Sequence, residues 1–202
     1  MLKRIFDAEN PLMQALSVAC DLLLLNCFTI LCCLPVVTAG AALTALSDVA
    51  MHIVRQEGAG VFRMYFRSFR ANLKQGILVG LMFLGAAALI AVDYLAAAAY
   101  APPLRAGVAA VALLVLAIAF YAFALLARYE NSIRATLANA ASLAVAFFPR
   151  TLGIVAFALA MWLLCLHFLR YAMPVLLMFG LSLPVYVAAL LLNDVMKKLE
   201  KN

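Results

Sequence analysis

From Gly76 to Tyr100 the chain runs for 25 residues with a single charge, Asp93, and from Ala106 to Ala127 it runs for another 22 with none. An α-helix needs ~20 apolar residues to cross a bilayer, and both runs supply them. Further apolar segments lie at 12–34, 36–54, 151–169 and 175–192. The 202 residues are 69% hydrophobic and 12% charged, far from the ~45–50% apolar and ~25% charged composition of soluble domains. The expected fold class is all-α: a polytopic membrane helix bundle of five to six hydrophobic helices plus cytoplasmic amphipathic helices, forming a single transmembrane helical domain over residues 1–202.

Segment 36–54 is the ambiguous one, either crossing or re-entrant. It spans ~28 Å at 1.5 Å per residue and carries Asp48 and His52 near its end. With six crossings, 13 of the 15 basic residues fall inside and only Arg105 and Arg170 outside; with five, Lys3 and Arg4 move out and the split becomes 11 to 4. Retention of basic residues on the cytoplasmic side favours six. Both arrangements place the C-terminus in the cytoplasm, and six places the N-terminus there too. The net charge of +6 therefore reads as topology, and no nucleic-acid partner is expected. MLKR and the small residues Val37-Thr38-Ala39 imitate a signal peptide. The apolar run from Leu12 is longer than the ~7–15 residues of an h-region, so the segment is expected to be retained.

Within CLPVVTAGAALTALSD, Cys33 to Asp48, Pro35 lacks an amide hydrogen and disfavours helix at Leu34, while Gly40 permits close approach of another backbone. Pro35 and Gly40 read as a hinge, either at the outer interface or buried within the bundle. Thr44, Asp48 and His52 recur every four residues and form one polar stripe. They are either a proton-responsive or substrate-contacting group or a helix end paired to Arg55. Asp21 sits near the middle of 12–34, where a carboxylate costs ~2.5–3.5 kcal/mol to insert, unless the span begins nearer Cys20. With Asn26 these residues make a candidate polar path: Asp21, Asn26, Thr44, Asp48 and His52.

In GVFRMYFRSFRANLKQ, Phe62, Tyr65, Phe66, Phe69 and Leu73 share one helical face, and Arg63, Arg67, Arg70 and Lys74 another. In RYENSIRATLANAASLAVAFF, Ile133, Leu137, Ala141 and Ala144 form the apolar stripe, with Asn131, Arg134, Asn139 and Ser142 turned away. Both read as helices on the cytoplasmic interface. Arg63, Arg67, Arg70 and Arg134 are candidates for docking an acidic partner surface or anionic inner-leaflet lipid, the latter worth ~1 kcal/mol per basic residue. Gly76, Gly80 and Gly85 include one GxxxG pair, a sign of close helix packing. His167 reads as an interfacial histidine and Pro184 as a packed kink.

LPVVTAGAALTAL after Asn26, FRSFRANLKQG leading into a span, and RYENSIRATLANAASLAVAFFPRTLGI between two later spans together resemble the YesL-like family of bacterial integral membrane proteins, a domain of unknown function. The resemblance implies a Gram-positive cell membrane and a genomic setting beside carbohydrate ABC importers and glycoside hydrolases. It supplies no catalytic residues.

The chain has two histidines and no HExxH, GxSxG, P-loop or acidic-pair signature, so no catalytic residues and no enzyme activity are expected. The cysteines Cys20, Cys27, Cys32, Cys33 and Cys165 lie in apolar runs without CxxC spacing. They read as small buried hydrophobes, and no metal site or cofactor is expected. The expected function is an integral membrane accessory protein assisting assembly, stability or regulation of a bacterial carbohydrate ABC importer, with its permease subunits as partners. The alternative is a small autonomous transporter with a polar path around the broken helix at 35–40.

Overall fold

Inside a bilayer no water is available to backbone amides, so an apolar chain satisfies them within helices. The computed structural model describes residues 11–57, 60–97, 102–129, 131–167 and 178–199, and no strand occurs among them. Eight α-helices are described: α1 (Pro11–Cys33), α2 (Ala39–Val54), α3 (Val61–Ala71), α4 (Leu73–Ala97), α5 (Pro102–Arg128), α6 (Ile133–Ala146), α7 (Phe148–His167) and α8 (Ser182–Leu199). Four described stretches are long and apolar enough to cross a membrane: Met13–Cys33, Val36–Val54, Leu73–Ala97 and Pro103–Arg128. The pair α6–α7, bent by 96°, passes the same test together, and Ser182–Asn193 is a shorter apolar helix. This is a multi-pass membrane architecture. Of the charges used above to assign sides, Lys3, Arg4, Arg170 and Lys201 lie outside the described residues, as do 98–100, 168–169 and 175–177 of the apolar segments.

The breaks have local causes. Pro35 is extended (φ −76°, ψ 108°) between α1 and a short 3-10 turn, Val36–Thr38. The Thr38 hydroxyl lies 2.6 Å from the Cys32 carbonyl and 2.8 Å from that of Pro35, tying the broken end together. α2 ends in a Schellman turn. Gln56 takes positive φ (58°), its amide donates to the Ile53 carbonyl, and the Glu57 amide donates to the His52 carbonyl. α3 stops at Asn72, whose side-chain amide bonds back to the Ser68 carbonyl at 3.1 Å. Leu73, expected on the amphipathic face of α3, therefore opens α4. Ser132 caps α6, accepting from the Ala135 amide, as a serine before a helical run should.

α4 and α5 form an antiparallel hairpin. Phe83 meets Phe123 at 5.7 Å between ring centroids near its base, and Arg105 lies 5.8 Å over the Tyr94 ring toward its far end. α2 runs beside α8 in the same direction: Ser47 and Met51 share a small void with Val185 and Ala189, and Arg55 Nε donates to Asn193 Oδ1 at 3.0 Å. This second layer crosses the hairpin at its base. A side chain at Gly40 would overlap the Gly76 carbonyl and stand 2.5 Å from Gly80 Cα, and the void shared by Ser47 and Met51 is also lined by Phe120 and Ala124. Gly76 and Gly80 are thus the GxxxG pair in use, with Gly40 as its counterpart, whereas Gly85 faces open space. Beyond the crossing the hairpin loses protein neighbours, and Leu89 and Leu95 are 68% and 72% exposed.

The elbow between α6 and α7 is pinned from inside. Thr151 Oγ1 lies 2.9 Å from the Ala144 carbonyl and 2.9 Å from the Tyr121 hydroxyl, which can donate to it. Pro149 falls in the first turn of α7, where a missing amide hydrogen costs no helical bond. The buried face of α6 is Thr136, Ala140 and Ala144, with Ile133, Leu137 and Ala141 half-buried beside it.

Candidate functional site

Asn26 is fully buried, and its Oδ1 accepts from the amides of Leu181 (2.9 Å) and Ser182 (3.0 Å). The first amides of a helix have no intrahelical partner, and at the start of α8 this side chain from α1 supplies one. Pro184, three residues into α8, has no amide to satisfy. It is a first-turn proline, and not the kink within a longer span expected from its sequence position.

Thr44 is also fully buried and donates to the Gly40 carbonyl at 2.8 Å, one turn back. Asp48 and His52 do lie together: His52 Nε2 is 3.6 Å from Asp48 and its Nδ1 is 3.0 Å from Glu57 Oε2. Glu57, more than half exposed, is the partner that sequence reasoning missed. One of the two readings of this helix end pairs it with Arg55; the left-handed turn at Gln56 brings Glu57 back onto His52, and Arg55 reaches Asn193. Asp21 is half-buried on α1. Four of the five residues of the candidate path are therefore distributed among a helix cap, a backbone bond and an open helix end, and Asp21 stands apart from them on α1. Of the two hinge residues, Pro35 stands at the break, whereas Gly40 lies inside the first turn of α2 against α4.

Arg63, Arg67 and Arg70 are exposed along α3, and Arg134 is exposed on α6. None of the four makes an ion pair with a described residue. The opposite side of α3 is anchored by aromatic packing. Phe28 of α1 meets Phe62 at 5.5 Å and Phe66 at 5.7 Å, and Tyr65 is fully buried, its phenol pushed above its ordinary pKa chiefly by that burial. Phe62, expected on the buried face, is 63% exposed. Among the described residues no group of three or more His, Cys, Asp or Glu is placed to hold a metal ion.

A cavity of about 890 Å³ lies in the wedge between the hairpin and the second layer. Its floor is α2, from Ala39 to Ser47, and its walls come from α4, α5, α7 and residues 180–185. None of Asp21, Asn26, Thr44, Asp48 or His52 lines it. Ser47 does, and its hydroxyl is already committed to the Leu43 carbonyl at 2.9 Å. No sequence signal marks this space, because it arises from the angle between two layers and not from any motif.

A search of curated proteins and a search of solved structures each find no match to this chain. One protein-family model matches, over residues 22–94, from Leu22 in α1 to Tyr94 in α4. The matched stretch holds the Pro35 break, α2, the arginines of α3 and the Gly76–Gly80 contact. The family is described as Protein of unknown function, DUF624; residues 22–94 are similar to it, and the YesL-like resemblance is consistent with that match.

Proposed function

We propose that this chain is an integral membrane accessory protein that assists the assembly, stability or regulation of a bacterial carbohydrate ABC importer. It sits in the cell membrane of a Gram-positive bacterium with both termini in the cytoplasm, and its partners are the importer's permease subunits and anionic inner-leaflet lipid. The observation that carries an interaction role is α3. One side of this helix is locked into the bundle by Tyr65 and the Phe28 cluster, while Arg63, Arg67 and Arg70 stand exposed without an acidic partner among the described residues. A rigid row of cations is a docking face for an acidic surface. The importer as partner rests on the YesL-like resemblance.

The autonomous-transporter reading needs polar side chains gathered at a shared path. Asn26 and Thr44 are instead committed to backbone groups, which weighs against it.

The test is affinity purification from the native membrane in mild detergent followed by mass spectrometry. Stoichiometric recovery of importer permease subunits, lost in the Arg63→Gln/Arg67→Gln/Arg70→Gln triple variant, is the expected result. Recovery of the protein alone, or of the same partners with the triple variant, overturns the role assigned to α3. Uptake that is abolished by Asp21→Asn at normal expression would restore the transporter reading.

A further inference from the structure

The wedge cavity is lined almost wholly by hydrocarbon, and its one polar floor residue, Ser47, has its hydroxyl turned to a backbone carbonyl. Apart from the Tyr94 and Trp162 side chains the lining offers water little to bond, and a largely apolar space of about 890 Å³ matches the ~300–1,000 Å³ of ligand pockets. The shape is elongated. On α4 the lining runs from Gly80 to Tyr94, ~21 Å at 1.5 Å per residue, which exceeds the ~15 Å depth of one hydrocarbon leaflet.

The far end of the cavity carries a feature that the rest lacks. Tyr94 lines it, and the guanidinium of Arg105 lies over that ring at 5.8 Å. Arg105 is exposed and makes no ion pair with a described residue. Asp93, the adjacent acid, is exposed and is not part of the lining. A long apolar slot ending at an aromatic ring and an unpaired arginine has the polarity of a single-headed amphiphile: hydrocarbon along the slot, an anion at its mouth. Arginine suits phosphate because its planar fork can make two parallel hydrogen bonds.

We propose that this cavity holds an acyl chain of an anionic phospholipid, with Arg105 binding the phosphate at its rim. The bound chain supplies the packing that the hairpin lacks beyond its crossing with α2. This site is independent of the docking role given to α3.

The chain's single tryptophan, Trp162, lines the cavity and reports its occupancy. Detergent-purified protein is titrated with phosphatidylglycerol or phosphatidylcholine bearing brominated acyl chains, and Trp162 fluorescence is followed. Brominated phosphatidylglycerol is expected to quench saturably at low lipid-to-protein ratio. Arg105→Gln should weaken its apparent affinity roughly fivefold, the loss of one basic residue near an anionic head, and bring it level with phosphatidylcholine. Ala112→Phe, filling one wall, should abolish saturable quenching by both lipids, and Ala87→Phe fills the opposite wall should the first variant misfold. Non-saturable quenching that is unchanged in the filled variants would mean surface contact only and overturns the site. An affinity for phosphatidylglycerol that Arg105→Gln leaves unchanged overturns the phosphate contact, equal affinity for the two lipids in the parent protein overturns the preference for an anionic lipid, and an unquenched Trp162 assigns the cavity to protein side chains.

Discussion

Asn26 shows how a polar residue at membrane depth can be structural. Its oxygen answers two amides that lie more than 150 residues away in sequence, and each buried group left without a partner costs about 1–3 kcal/mol. Asn26→Leu is therefore expected to lower stability by about 2–6 kcal/mol, read as an earlier unfolding midpoint in detergent. Gln56 sits in the left-handed region, which costs a residue with a Cβ roughly 1–2 kcal/mol. Gln56→Gly should recover about 1 kcal/mol of this, seen as a later midpoint in the same assay, with the Glu57–His52 contact preserved. Sequence reasoning singled out Asn26, Asp48 and His52 as polar groups worth explaining, and all three have specific contacts. It could not name Leu181, Ser182 or Asn193 as partners, since those meetings depend on how distant helices pack. Nor could it place the turn at Gln56, because the glycine that would mark such a turn stands two residues later, at Gly58.

At the level of elements, the breaks were the most readable feature. Proline at 35 and the aromatic–basic alternation of α3 each follow from local chemistry. The GxxxG pair is readable as a close contact, and so is Gly40 as a point of close backbone approach; what the sequence does not show is that the two meet, where α2 packs on α4. Gly40 and Gly85 offer a clean comparison. Gly40→Ala drives a methyl group into the backbone of α4, and overpacking of this kind costs about 1–3 kcal/mol or more. Gly85→Ala faces open space and gains helix propensity worth up to ~1 kcal/mol. Thermal unfolding in detergent should therefore move in opposite directions for these two substitutions. Equal behaviour would mean that α2 and α4 are not in backbone contact.

At the level of the whole molecule, apolar length and charge order made the multi-pass helical architecture legible, but not the angle between its layers. The angle comes from residues too small to signal anything by hydropathy, the glycines at 40, 76 and 80. The proposed orientation has a direct check. In a cysteine-free background, Ala106→Cys near the start of α5 should react with an impermeant maleimide on intact cells, while Glu57→Cys in the α2–α3 turn should react only after permeabilisation. The reverse pattern would invert the assignment of sides.

The bond from Asn26 to the start of α8 also has a consequence for the order of synthesis. α1 is made well before α8, so the side chain of Asn26 waits through the synthesis of more than 150 residues before Leu181 and Ser182 arrive. Arg55 waits in the same way for Asn193. Closure of α8 onto α1 and α2 is thus a late event, and a product that stops short of α8 lacks both of these long-range bonds.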